Sequence, residues 1–147
     1  MTITNRDGKS IVTQKEYDSE RRFVTKEIDS AGNATMMSYN VDGNLKSVND
    51  ALGAVAELAY KDNGLISKLI AKKGRESAEA VYTYTANNLL ESVTLSNGSK
   101  YDFIYNSQNW LIAVKLNGET IFSFEYDETT GNILRQTYGS GDSYGFT

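Results

Sequence analysis

Residues 100–118 read KYDFIYNSQNWLIAVKLNG and predict a β-hairpin. Large apolar residues alternate with polar or smaller ones on both sides of the polar loop at 106–109. Such alternation is typical of two strands that each have one apolar face and are joined by a short loop. The stretch closes on Asn117-Gly118. This dipeptide favours a type I′ turn, because both central residues of that turn need positive φ.

The same unit recurs along the chain. A tyrosine ends one predicted strand, and a large apolar residue opens the next strand about six positions later. The tyrosines lie 21 to 24 residues apart and are Tyr17, Tyr39, Tyr60, Tyr84, Tyr105 and Tyr126. The opening residues include Leu45, Leu65, Leu90, Trp110 and Leu134. Glycines in turn-rich contexts separate the units, among them Gly32, Gly53, Gly98 and Gly118. Six copies at a nearly constant period indicate tandem hairpins.

These units predict an all-β fold, in which antiparallel hairpin repeats of about 21 residues form one long, curved and twisted sheet. About a dozen strands are predicted before residue 139, and a last partial strand starts at Ser143. A helix is an alternative to a strand only for residues 50–60, where residues with high helix propensity cluster. The place of that segment in the repeat favours a strand. The length favours one domain over residues 1–147, with about six repeats.

The predicted sheet has one strongly apolar face. In the last third of the chain, one side of two successive strands carries Trp110, Ile112, Val114 and Leu116, then Phe122, Phe124 and Tyr126. One detail breaks the alternation: Leu45 and Val48 are three apart, so they cannot share a face of an unbroken strand. Either the first residue lies in the loop or a bulge resets the face. We expect the loop in most units.

Composition excludes several functions. The chain has no Cys, no His and no Pro, and its net charge is −4. It therefore lacks disulfides, thiolate nucleophiles, the commonest general base and the commonest nitrogen ligand for metals. No basic stripe is present, so nucleic acid is not an expected partner. No apolar run approaches the roughly 18 residues of a membrane span, so no membrane insertion is expected.

The units resemble the YD repeat, also called the RHS repeat, of bacterial RHS proteins, Tc-toxin B and C components and teneurins. The similarity is carried by YNVDGNLKSV at 39–48, by YKDNGL at 60–65 and by Tyr126-Asp127 through Leu134, with a degenerate copy at Tyr17-Asp18. The resemblance implies a hairpin strip that winds into a hollow shell, which encloses a toxin or supports cell-surface adhesion. It also implies a secreted or cell-surface location. The Asp-Pro-x-Gly site at which RHS cores are cleaved is absent.

At 147 residues the chain is short for a closed shell. We therefore expect an excerpt of a larger shell or a small free-standing relative. The expected function is a non-enzymatic structural scaffold. Its expected partners are the remainder of a larger shell protein, or a second copy through the apolar face. The alternative is a free-standing module that binds a glycan or a protein at the cell surface.

For several residues, a binding or catalytic role competes with a structural role. The tyrosines or Trp110 could stack on sugars, but their fixed places at strand ends and in the alternation favour packing, with the hydroxyls reaching loops. Asp-rich loops could hold Ca²⁺, but Asp and Asn are also what tight turns need. Glu125 and Asp127 could serve glycoside hydrolysis, which needs paired carboxylates. We expect no catalytic residues, no metal and no cofactor.

Overall fold

The computed structural model describes residues 2–4 and 10–146, with side chains described from residue 13. This part of the chain consists of strands joined by short turns. The strands are Thr2–Thr4 (β1), Ser10–Val12 (β2), Gln14–Tyr17 (β3), Val24–Ile28 (β4), Ala34–Tyr39 (β5), Leu45–Asn49 (β6), Ala54–Tyr60 (β7), Ile66–Lys73 (β8), Glu76–Tyr84 (β9), Leu90–Leu95 (β10), Lys100–Tyr105 (β11), Leu111–Leu116 (β12), Glu119–Tyr126 (β13), Ile133–Tyr138 (β14) and Ser143–Gly145 (β15). In the described residues no helix is long and apolar enough to cross a membrane.

Strands β3 to β15 form one antiparallel sheet, in which each strand lies next to its neighbours in sequence. The sheet is open, with β3 and β15 at its two edges. A separate two-stranded sheet joins β1 to β2. The all-β prediction and the strand at 54–60 are thus confirmed. The chain groups into two compact units, residues 1–79 and residues 80–147, which we call unit 1 and unit 2.

A β-bulge lies opposite each of the six strand-end tyrosines. Tyr39 pairs with Leu45 and Ser38 pairs with Ser47, so Lys46 is left unpaired. The unpaired residues of the six hairpins are Thr25, Lys46, Ser67, Glu91, Ile112 and Leu134. We expected the loop rather than a bulge in most hairpins; a bulge resets the face in all six, although Leu65 and Trp110 do lie in the loops before their strands. The bulge returns Leu45 and Val48 to one face, because the extra residue shifts the alternation by one.

In unit 2 the face that carries the tyrosines is aromatic and aliphatic. Phe103 lies opposite Val114, and Val114 lies opposite Phe122. The next pair in that row joins Phe122 to Tyr138, whose rings meet edge to face at 5.2 Å. The other face is more polar, although it carries Ile104 opposite Ala113, and it includes ion pairs such as Lys100 with Asp102 at 2.7 Å. The predicted apolar face therefore exists, although the bulge removes Ile112 from the row.

In unit 1 the same face is built from smaller and more polar side chains. Val48 lies opposite Ala56, and Ala56 lies opposite Ala71. Near the start of the unit, Lys15 and Glu27 form an ion pair at 3.6 Å within the row. Among the residues with described side chains no hydrophobic residue is fully buried, and the one buried polar residue is Ser92 at 4% exposure. A single sheet layer thus leaves its apolar face half-covered.

Candidate functional site

The hydroxyls of four strand-end tyrosines, Tyr39, Tyr60, Tyr105 and Tyr126, tie neighbouring hairpins together, whereas Tyr17 is 51% exposed. Each of these bonds runs from a hydroxyl to the backbone carbonyl fifteen residues earlier, and that carbonyl belongs to the residue paired with the preceding strand-end tyrosine. In unit 1 Tyr39 donates to Val24 at 2.9 Å, and Tyr60 donates to Leu45 at 2.7 Å. In unit 2 Tyr105 donates to Leu90 at 2.9 Å, and Tyr126 donates to Leu111 at 2.8 Å. We call each such bond a tyrosine staple.

The staple follows from the bulge. An extra residue interrupts the backbone ladder, so the carbonyl beside it lacks the regular partner that an unbroken ladder would provide. A half-buried carbonyl without a partner is costly, and a phenol hydroxyl from the next hairpin satisfies it. Burial raises the pKa of Tyr105 above its ordinary value, and it also raises that of Tyr84, where Tyr82 adds to the effect. The raised pKa keeps the Tyr105 hydroxyl a neutral donor at physiological pH.

The loops after the strand-end tyrosines are closed by the same kind of backbone hydrogen bond. In the fifth hairpin the amide of Asn106 donates to Trp110 O at 3.0 Å, and Asn106 Oδ1 accepts from the amides of Gln108 and Trp110. One residue of each loop takes positive φ, two positions before the next strand in five loops and three positions before it at Arg21: Arg21, Gly43, Gly64, Asn88, Asn109 and Gly131. Glycine, Asn and Asp tolerate this conformation, whereas Arg21 at φ 58° is strained.

The glycines predicted to separate the hairpin repeats also have positive φ. Gly32, Gly53, Gly98 and Gly118 have φ of 86°, 79°, 87° and 90°. Asn117 has φ of 51°, so the Asn117-Gly118 turn has the predicted type I′ signs at both positions. The opening residues are placed differently from one another. Leu45 and Leu90 start strands β6 and β10, Leu65 and Trp110 precede β8 and β12, and Leu134 is the exposed bulge residue of β14.

Two aromatic rings bridge successive hairpins within a unit. Phe23 stacks on Tyr39 at 4.6 Å, and its ring covers Gly43 so closely that a Cβ there would lie 2.8 Å from Cζ. Trp110 packs against Tyr126 at 5.2 Å, and its ring lies over Gly131. Both rings therefore pack against residues of their own sheet. This placement favours the packing role over a sugar platform for Trp110.

The profile of the teneurin YD-shell family matches residues 1–146. The chain belongs to the teneurin YD-shell family. No curated protein matches this YD-shell chain significantly in sequence. Solved structures share its fold at low identity, and they come from Tc toxins.

The structure titled TcdB2-TccC3-TEV matches with a TM-score of 0.71 at 15% identity, over 88% of this chain and 7% of that chain. TcdB2-TccC3-Cdc42 matches with a TM-score of 0.65 at 18% identity, over 92% of this chain and 7% of that chain. The Photorhabdus luminescens Tc holotoxin pore matches with a TM-score of 0.67 at 15% identity, over 86% of this chain and 7% of that chain. The YD-shell chain thus spans about 7% of the length of these proteins.

The acidic loop residues of the YD-shell chain are engaged in turns. Asp127 Oδ1 accepts from the amides of Thr129 and Thr130, and these bonds lower its pKa. The pKa of Asp29 is lowered chiefly by the side-chain amide of Asn33. Glu125 Oε2 lies 3.8 Å from Arg135. Among the described residues no group of three or more potential ligands could hold a metal ion. Asp127 and Asp29 thus accept hydrogen bonds that shape their own turns.

Sequence reasoning missed the acceptors of the staples. The carbonyls of Val24, Leu45, Leu90 and Leu111 are backbone atoms, so no side-chain pattern marks them. The signal that could have found them is the broken alternation itself. Three-residue spacing after each loop, together with a tyrosine one period later, predicts a bulge carbonyl and its donor.

Proposed function

We propose that this segment is part of the wall of a YD-type shell that encloses cargo or supports interactions at a surface. The observation that supports it most is the repetition of the tyrosine staple. The same bond recurs at a fifteen-residue separation in both units. Successive hairpins within each unit are thereby fixed in the same way, which is what a rigid wall of variable length requires.

In this proposal the segment is structural and catalyses no reaction. The remainder of a larger shell protein is its partner, and the shell is secreted or exposed at the cell surface. The family match and the Tc-toxin neighbours support this reading. Those Tc-toxin chains are far longer, and this segment corresponds to about 7% of each.

The test uses the native polypeptide in its source. An immunoblot against this segment should detect a product far above 16.3 kDa, the mass of this chain. Limited proteolysis of that product should leave the segment uncut, because its backbone is hydrogen-bonded into the sheet. A native product near 16.3 kDa would overturn the cargo-wall proposal. Detection of enzymatic turnover by the isolated segment would overturn its purely structural role.

A further inference from the structure

The turn between β10 and β11 holds Asn97 at the tip of a hairpin in unit 2. The amide of Gly98 donates to Leu95 O at 2.9 Å, and the amide of Leu95 donates to Ser99 O at 2.9 Å. These two bonds, together with the φ of 87° at Gly98, define a tight turn. Asn97 is exposed. The turn therefore presents this side chain to solvent, beyond the ends of the two strands.

The carboxamide of Asn97 is fixed through its oxygen and open at its nitrogen. Asn97 Oδ1 accepts from the amide of Ser99 at 3.0 Å, which closes a local side-chain turn. Among the residues with described side chains, none forms a hydrogen bond with Asn97 Nδ2 or with the hydroxyl of Ser99. An amide nitrogen and a hydroxyl two residues apart are thus both uncommitted at an exposed tip.

Asn97-Gly98-Ser99 has the sequence of an N-glycosylation acceptor. Such an acceptor is Asn, then any residue except Pro, then Ser or Thr, and it lies on a surface because the attached sugar is bulky and hydrophilic. A second copy of the pattern occurs at Asn33-Ala34-Thr35. The pattern by itself does not select between the two copies, but their local geometry differs.

The side chain of Asn33 is already engaged. Asn33 Nδ2 donates to Asp29 Oδ2 at 2.8 Å, and the backbone amide of Asn33 donates to Asp29 Oδ1 at 2.9 Å. Thr35 lies inside strand β5, where it pairs with Glu27. A transferase would have to break the bond to Asp29 to reach the nitrogen, and it would meet a threonine held in the sheet. Neither constraint applies at Asn97, whose acceptor pattern lies outside the strands.

We propose that Asn97 is an N-glycosylation site and that Asn33 stays unmodified in the folded chain. The sugar donor is a glycosyl diphosphate, linked to a lipid or to a nucleotide. Asn97 Nδ2 forms a bond to the anomeric carbon, and the bond from that carbon to the diphosphate oxygen breaks. The diphosphate leaves with the electron pair of that bond, and the amide gives up one proton to a base of the transferase.

This site rests on the proposed function in one respect. A protein that is secreted or exposed at the cell surface encounters the enzymes that transfer sugars to asparagine. The position also suits a wall segment, because a glycan at the turn extends past the strand ends and covers neither face of the sheet. The staple of this hairpin, from Tyr105 to Leu90 O, lies at the opposite end of β10. The sugar can therefore be added without displacing that staple.

Glycopeptide mass spectrometry of the native polypeptide from its source is the first test. Trypsin cleaves after lysine and arginine, so it places Asn97 in the peptide 76–100 and Asn33 in the peptide 27–46. We expect sugar on peptide 76–100 and none on peptide 27–46. A preassembled oligosaccharide would identify the lipid-linked donor, and a single sugar would identify the nucleotide-linked donor. Peptide 76–100 without sugar would overturn the proposal, as would sugar on peptide 27–46. A large native product that lacks sugar at Asn97 would refute this site and leave the wall proposal standing.

Ser99→Ala in the native polypeptide separates the acceptor pattern from the fold. The substitution removes the hydroxyl that the pattern needs but keeps the backbone amide that donates to Asn97 Oδ1, so the turn is preserved. The variant should lose the sugar on Asn97 completely. Ser96→Ala is the matched control, since Ser96 belongs to the same turn but lies outside the pattern, and it should leave occupancy unchanged. Sugar that persists in Ser99→Ala, or that is lost equally in Ser96→Ala, would overturn the proposal.

Discussion

Units 1 and 2 share one backbone plan but fill it differently. Both use bulges opposite the strand-end tyrosines and staples over fifteen residues. Their tyrosine faces nevertheless differ: unit 2 carries Phe103, Phe122 and Tyr138, whereas unit 1 carries Ala56 and Ala71 at its centre. The difference teaches that turns, bulges and hydroxyl bonds define the hairpin array. The size of the packing side chains then varies from unit to unit and determines how much of the face is covered.

The largest expected effect comes from removing a ring in unit 2. Phe103 and Met37 both lie two residues before a strand-end tyrosine, in unit 2 and unit 1 respectively. Phe103→Ala should lower the free energy of unfolding by about 2 kcal/mol, less than full burial would give, because the ring is half-buried. Met37→Ala should cost about 1 kcal/mol. Urea unfolding followed by circular dichroism measures both. Equal losses would show that the packing of the two units does not differ as described.

A second effect concerns the rings that cover loop glycines. Gly43 and Gly64 hold the same place in their loops, with φ of 84° and 81°. In Gly64→Ala the new Cβ has no neighbour within 4 Å, so the substitution should lower the free energy of unfolding by about 1 kcal/mol through backbone strain alone. Alanine at Gly43 also meets the Phe23 ring and should cost about 2 kcal/mol. The double variant Gly43→Ala, Phe23→Leu should show less than the summed loss. Additive losses in thermal unfolding would disprove the contact.

The staples should contribute equally in the two units, unlike the rings. Tyr39→Phe and Tyr126→Phe each leave a carbonyl without its hydroxyl donor and should lower stability by about 1 kcal/mol. Tyr144→Phe is the control, because that ring is 62% exposed, and it should leave stability unchanged. Thermal unfolding of the three variants tests this prediction. A loss confined to one unit would show that the staple is not a shared element of the plan.

One substitution should stabilise the chain. Arg21 takes a conformation with φ of 58° that glycine adopts without strain. Arg21→Gly should raise the free energy of unfolding by about 0.5 kcal/mol, since relief of strain exceeds the added freedom of the unfolded chain. Asn109→Gly should bring no gain, because Asn tolerates positive φ and Asn109 Oδ1 accepts a bond from Asn87 at 2.9 Å. Destabilisation by Arg21→Gly in urea unfolding would contradict the strain at this loop.

The smallest expected effects are those of pH on stability, and they involve residues of both units. The pKa of Asp29 in unit 1 and of Asp127 in unit 2 is lowered in the folded chain. Their contribution is therefore present above the unfolded pKa of about 3.9 and is lost as pH falls through the folded value. The pKa of Tyr105 is raised, so its contribution is present below about pH 10 and is lost as pH rises further.

Unfolding measured against pH tests these signs. Asp29→Asn and Asp127→Asn should each flatten the acid side of the profile, because a neutral side chain has no proton to gain there. Tyr105→Phe should flatten the alkaline side. A profile of the parent chain that keeps its full stability as pH falls below 3 would contradict the assigned role of the two carboxylates.

Local chemistry made much of the fold predictable. Asn117-Gly118 marked its turn because only a few residues accept positive φ at both positions. The tyrosines marked strand ends because they recur at a nearly fixed period. The bulges were misjudged, since broken alternation at Leu45 and Val48 fits either a loop or an extra residue until the partner strand is placed. The loop at Arg21 was equally hidden, because nothing in its sequence announces positive φ at an arginine.

The sequence by itself determined the all-β class, the period, the turn glycines and the existence of one apolar face, because strand alternation and turn chemistry act between near neighbours. Only the tertiary structure decided which carbonyl each tyrosine hydroxyl reaches, which rings lie over Gly43 and Gly131, and where Ala56 and its neighbours leave a hollow. Those features join residues from different strands. Their physical cause is the register between strands, which one extra residue per hairpin resets and which no single segment specifies.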